Sequence, residues 1–173
     1  MKKLRVFSIL LTLTLLTGLL SPYAAASGSG SAILDGMQVQ AKAAILVDAD
    51  YDEVLYEQNA HEKMYPASIT KVMTCLLTLE AVDRGELTLE QVVTASSALH
   101  TGIGEGASTA DIKEGEQLRI IDLLYAALIP SGNEACNVLA EAVSGSVTEF
   151  VARMNARAAE LGMTGTHFSN THG

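Results

Sequence analysis

The sequence predicts an α+β fold in which helices pack on an antiparallel sheet. Three observations predict it: two short apolar-rich runs around an aspartate-rich turn, four helical patterns downstream of them, and two of those helices apolar almost all round. Strands followed by a run of helices, rather than strict alternation, is the order expected of an α+β domain.

The chain opens on Lys2, Lys3 and Arg5, continues through an apolar stretch from Val6 to Leu20, and reaches Ala24-Ala25-Ala26. A basic start, an apolar middle and small residues at the end form a secretory leader, so residues 1–26 are expected to be a signal peptide and the protein to be exported. The apolar stretch is short for a bilayer and breaks at Ser21-Pro22. Loss of three basic residues from a chain of net charge −9 leaves −12. Such an acidic chain has no basic patch to neutralise phosphates, which excludes nucleic-acid binding as a primary role. Residues 27–37, beginning with a Gly/Ser run, read as a flexible linker, and the ordered domain is expected from Gln38 onward.

Ala43–Val47 and Glu53–Glu57 read as the strands of a β-hairpin. The alternating Asp48, Asp50 and Asp52 between them resemble the start of a calcium loop. Counted from Asp48, however, the glycine position holds Glu53 and the terminal glutamate position holds Asn59, so the segment reads as a solvated turn. A helix starting near Ser68 runs through Val72, Met73, Cys75, Leu76, Leu77, Leu79 and Val82 to Gly85. Val92–Thr94 reads as a short strand and Ser96–Ala110 as an irregular loop. Ile120–Ile129 is helical by pattern and stopped by Pro130; Glu134–Val143 and Val147–Leu161 are two further helices closed by Gly145 and Gly162. The helices beginning at Ser68 and Glu134 are apolar enough to require cover on more than one side. Cys75 and Cys136 fall inside apolar helical patterns rather than loops, so both are expected as buried free thiols.

Ser68-Ile69-Thr70-Lys71 is the segment that points to chemistry. A serine at a helix start is ordinarily a cap, and a capping box places Glu or Gln three residues on, where the helix dipole favours an acid. Here that residue is Lys71. Residues three apart share a helix face, so the lysine amine can reach the serine hydroxyl. Near the positive helix end and partly desolvated, Lys71 should have a lowered pKa, and its neutral form could take the Ser68 proton. The same helix start would aim a backbone N–H at an oxyanion. Ser131-Gly132-Asn133 lies between two helices; Asn133 could cap the second, or, in an extended tripeptide, Ser131 and Asn133 could face one site across Gly132. A hydroxyl and an amide placed together suit proton relay and substrate-amide recognition.

S-x-x-K followed by S-x-N resembles the penicillin-recognising serine enzymes. The segments Tyr65–Thr74, Leu123–Ala135 and Phe168–Gly173 are similar to those of the low-molecular-mass D-alanyl-D-alanine carboxypeptidases, peptidase family S11. The resemblance covers nearly all of 38–173. It implies a β-lactamase/transpeptidase-like domain and removal of the terminal D-alanine from peptidoglycan stem peptides through an acyl-Ser68 intermediate. Lys71 would be the proton acceptor, Ser131 would move a proton to the leaving amine, and Asn133 would hydrogen-bond the substrate or the lysine. β-Lactam antibiotics would acylate Ser68 as substrate mimics. No cofactor is implied, and His61, His100, His167 and His172 show no metal-ligand grouping beyond the last two in one loop. His172 fits the family's Asn-x-His-Gly turn, and Tyr65 is a candidate wall of the pocket.

The family's third motif, Lys-Thr-Gly, does not occur in the 173 residues. The resemblance places it on a central strand, so the chain is expected to be the N-terminal portion of the catalytic domain with an incomplete sheet. Association with the outer face of the cytoplasmic membrane would depend on a C-terminal anchor of the kind many members carry. Two alternatives stand beside the carboxypeptidase: a non-catalytic penicillin- or peptidoglycan-binding module, and a serine β-lactamase, which would normally require a deacylating glutamate beyond S-x-N.

Overall fold

The structure is a computed structural model and describes Gly36 and residues 39–173. The predicted leader and all but one residue of the predicted linker lie outside the described residues. The chain divides between Glu62 and Lys63 into two compact units.

In the first unit, β1 (Ala44–Asp48) and β2 (Glu53–Gln58) form the expected antiparallel hairpin. Its turn is closed by Asp48, whose carboxylate accepts from the backbone N–H groups of Asp50 at 3.0 Å and Tyr51 at 3.3 Å. The aspartate that imitated the start of a calcium loop is thus an Asx-turn residue. A register irregularity between Leu46 and Val47 breaks the two-residue alternation. Ile45, Leu46, Val47 and Val54 are all exposed, and among the described residues the two strands pair only with each other. The hairpin sheet is therefore incomplete, as expected.

The second unit holds the helices. A 3₁₀ turn, Ala67–Thr70, leads into α1 (Lys71–Asp83); β3 (Val92–Thr94) pairs antiparallel with β4 (Gln117–Arg119); α2 (Ile120–Leu128), α3 (Asn133–Ser144) and α4 (Val147–Glu160) follow. The sequence reading misses β4, a three-residue strand with one apolar member, Leu118, too short for a periodic signal.

Helix α3 is central. Every residue from Glu134 to Ala140 is buried. One of its faces packs Ala135, Cys136 and Leu139 against Cys75 and Ala81 of α1 and Ile120, Leu123 and Ala127 of α2, with Val93 and Leu118 of the small sheet at the edge. Ala140 joins a second cluster with Met73 and Leu77 of α1 and Phe150, Met154 and Ala158 of α4. Each fully buried large side chain here contributes about 1.5–3 kcal/mol relative to exposure. Helix α1 is covered on two sides, as expected; on its third side Val72 and Leu79 remain exposed. Cys75 and Cys136 are free and buried. Burial pushes their thiols up to about 11 and about 12, so neither is a nucleophile at neutral pH.

Candidate active site

Ser68 and Ser146 each stand near a helix start with a charged residue three positions on, and they behave differently. Ser146 has extended backbone (φ −158°, ψ 156°), and its hydroxyl accepts from the Glu149 N–H, as an N-cap should. Ser68 lies inside the 3₁₀ turn, and among the described residues no side chain caps either that turn or α1. Its hydroxyl is spoken for elsewhere: Lys71 Nζ lies 3.2 Å away and Ser131 Oγ 3.0 Å away. Ser68 is exposed whereas Lys71 beneath it is 2% exposed. A reachable oxygen therefore sits on a buried amine.

Burial lowers the Lys71 pKa, against the raising influence of Cys136, Glu134 and Cys75. Desolvation disfavours the ammonium, the form that cannot accept a proton. The amine also donates to the backbone carbonyl of His172 at 3.1 Å. His172 is itself buried, with its imidazole pKa lowered chiefly by that burial and Nε2 lacking a hydrogen-bond partner among the described residues. Gly173 lies so close to the turn that a Cβ there would collide with the Ala67 carbonyl, and its φ of +83° also favours glycine. His167, by contrast, is exposed, and Tyr65 stands fully in solvent.

Ser131 reaches Ser68 by a different route from the one the tripeptide suggests. Its backbone is not extended but left-handed, at φ +61°. Gly132, at φ −60° and ψ 116°, is the residue before α3, so Asn133 is the first helical residue rather than its cap. The reason is anchoring on both sides: Gly132 N–H donates to Ala126 O at 2.9 Å and Asn133 N–H to Ser108 O at 3.1 Å. These bonds bend the chain where pattern alone suggested a straight segment. Among the described residues the Asn133 side chain makes no hydrogen bond, and Lys71 is held by Ser68 and His172 rather than by Asn133.

The glycine between them has a steric reason. A Cβ at Gly132 would lie 2.9 Å from Ala110 Cβ, 3.0 Å from Ala126 O and 3.1 Å from Ala110 N. Gly132→Ala is therefore expected to destabilise the protein by about 1–3 kcal/mol in a urea titration, since backbone atoms must move to admit the methyl. Unchanged stability would mean that the loop carrying Ala110 yields freely.

A polar framework that the sequence reading missed supports this arrangement. Glu134, Asn137 and Glu141 recur along α3 and hold the long loop between β3 and β4. Glu134 Oε1 accepts from Thr109 Oγ1 and Ala110 N–H, both at 2.6 Å, and from Ile112 N–H at 3.3 Å. Asn137 Nδ2 donates to the carbonyls of Leu99 and Thr101, and Ser96 Oγ donates to Glu141 at 2.7 Å. Polar residues at i, i+3 and i+7 of an otherwise apolar helix were the legible signal.

The chain has counterparts among known proteins. Residues 29–173 match the family model described as D-alanyl-D-alanine carboxypeptidase, peptidase S11. The chain is 40% identical over 134 residues to the D-alanyl-D-alanine carboxypeptidase DacF of Bacillus subtilis, covering 78% of this chain and 34% of that protein. It resembles penicillin-binding protein 3 of Streptococcus pneumoniae, a peptidoglycan synthesis regulatory factor, with a TM-score of 0.72 and 35% identity over 79% of this chain and 38% of the other. It also resembles ampicillin-bound penicillin-binding protein D2 of Listeria monocytogenes, with a TM-score of 0.66 and 32% identity over 79% and 53% of the two chains. These neighbours carry the transpeptidase fold of the penicillin-binding proteins. The chain spans about a third of the length of the curated relatives it matches.

Proposed function

Because the chain belongs to the D-alanyl-D-alanine carboxypeptidase family, peptidase S11, we propose that it carries the acylating half of a serine D-Ala-D-Ala carboxypeptidase site acting on peptidoglycan stem peptides outside the cytoplasmic membrane. The observation that carries this reading is an exposed Ser68 hydroxyl flanked at 3.2 Å by the buried Lys71 amine and at 3.0 Å by Ser131.

In the proposed reaction, Ser68 Oγ attacks the carbonyl carbon of the penultimate D-alanine while neutral Lys71 takes its proton. The negative charge on the carbonyl oxygen faces the Ser68 N–H, since the next N–H of the same turn, that of Ile69, is already given to Pro66 O at 3.1 Å. The C–N bond then breaks; Ser131 gives its proton to the departing amine and recovers one from the Lys71 ammonium. Terminal D-alanine leaves and an ester to Ser68 remains, which water cleaves. Asn133, with its side chain uncommitted at the start of α3, hydrogen-bonds the substrate amide.

A β-lactam tests the reading, because ring opening keeps the leaving nitrogen attached. Its adduct on Ser68 should add the mass of the entire antibiotic. Mass spectrometry of the chain after penicillin exposure, with peptide mapping, should place that increment on the peptide containing Ser68 and show it persisting. Absence of any adduct, or its location elsewhere, would overturn the assignment, and rapid release as hydrolysed drug would make the protein a β-lactamase.

A further inference from the structure

Behind Lys71 runs a buried polar chain that touches no reacting atom. Asn137 of α3, with no exposed surface, accepts at Oδ1 from Thr171 Oγ1 at 2.7 Å. Its amide nitrogen is fully used, donating to Leu99 O at 3.0 Å and Thr101 O at 2.9 Å. The Thr171 carbonyl accepts in turn from Thr74 Oγ1 of α1 at 2.6 Å. Thr74 and Thr171 are, like Asn137, wholly buried. The next residue is His172, whose carbonyl receives Lys71 Nζ. On its other side Asn170 Oδ1 accepts from the backbone N–H of His172 at 3.1 Å and of Gly173 at 2.5 Å. The 170–173 segment is thus fastened at Thr171 to α1 by Thr74 and to α3 by Asn137, with the carbonyl of the next residue turned onto the amine.

Such a chain is more than filler for an apolar core. Wholly buried hydroxyl and amide groups are costly unless every partner is met, and here each is. A segment without regular secondary structure cannot orient a carbonyl by itself; the Thr171 hydroxyl, donating to α3, and the Thr171 carbonyl, accepting from α1, fix the Thr171–His172 peptide plane, and Asn170 Oδ1, holding the Gly173 N–H, fixes the next plane, which carries the His172 carbonyl. We propose that Thr74, Thr171 and Asn137 are positioning residues that hold the His172 carbonyl on Lys71 and so set the placement of the proton acceptor. The inference rests on the reading of Lys71 as that acceptor.

Thr171→Val removes one hydroxyl and keeps the shape and the backbone, whereas Thr171→Ser restores the hydroxyl. Two readouts separate this inference from the reading it rests on. The first is acylation of Ser68 by penicillin: the limiting rate constant, taken on the high-pH plateau where Lys71 is neutral, should fall about tenfold in Thr171→Val with the half-saturating penicillin concentration unchanged, and Thr171→Ser should recover to within about twofold. The second needs no acylation. NMR titration of the Lys71 side chain should show its midpoint lower by about one unit in Thr171→Val, because a buried ammonium loses a fixed acceptor. Thr74→Val, which removes the other fastening, should shift the midpoint the same way. Should wild type form no adduct, the carboxypeptidase reading fails while the titration still decides the positioning role. An unmoved Lys71 midpoint in both valine variants, or equal loss in Thr171→Val and Thr171→Ser, would overturn the inference.

Discussion

Replacing Lys71 by alanine is expected to lower the rate at which penicillin acylates Ser68 by about a hundredfold to ten-thousandfold, the range spanned by general acid–base groups. The serine hydroxyl remains and so does its contact with Ser131, but the only nitrogen beside it among its described hydrogen-bond partners is gone. The pH profile makes the prediction specific to a proton acceptor. Burial pushes Lys71 below its ordinary value of 10.5, so the neutral fraction at any pH beneath that value exceeds that of a free lysine. Wild-type acylation should therefore rise with pH until Lys71 is deprotonated, with a midpoint below 10.5, and Lys71→Ala should lose that rise. Stopped-flow rates with a fluorescent penicillin across a pH series measure both. A wild-type rate in Lys71→Ala, or an unaltered profile, would remove the lysine from the mechanism.

The second large effect is on stability. Glu134→Ala should cost about 3–5 kcal/mol, because it strands the Thr109 hydroxyl and the Ala110 and Ile112 N–H groups without the charged acceptor they share. Burial pushes the Glu134 carboxyl up, but those donors and a backbone N–H of Glu134 itself outweigh it and hold the pKa below 4.5. A depressed folded pKa means that the unfolded chain binds more protons in the window beneath 4.5. The stabilisation is therefore complete at neutral pH and is lost as pH falls through the folded value. Urea titrations of wild type and Glu134→Gln should show a gap at pH 7 that narrows in acid; a gap that stays constant or widens would mean that the carboxylate charge contributes nothing.

How much of this was legible in the sequence depends on distance along the chain. The four helices were readable because apolar periodicity and terminal glycines are local, and α1 to α4 begin and end within a few residues of the expected places. Ser68 and Lys71 were readable because three residues of helix bring them together. Ser131 was readable as a partner only through resemblance: nothing in its own neighbourhood predicts a hydroxyl 3.0 Å from Ser68. Its left-handed backbone was not readable at all, since it is imposed by bonds from the following residues to Ala126 and Ser108. The framework of Glu134, Asn137 and Thr171 escaped for the same reason. The spacing of Glu134 and Asn137 along α3 was a signal, but only tertiary packing shows that all three residues are buried, Glu134 on the loop of Thr109 and Ala110 and Asn137 on Thr171. The family assignment followed from three segments in order, Tyr65–Thr74, Leu123–Ala135 and Phe168–Gly173, and the family match agrees with it.

Ser131 carries a consequence for any attempt to improve this protein by selection. A serine at φ +61° occupies a conformation that costs an L-residue about 1–3 kcal/mol and that glycine or asparagine adopts more readily. A library sorted for thermal tolerance alone should enrich Gly or Asn at position 131 and raise the melting temperature while discarding the hydroxyl that meets Ser68. Under the proposed mechanism the two properties pull this one residue in opposite directions, and serine at position 131 is a compromise between folding and the proposed proton transfer.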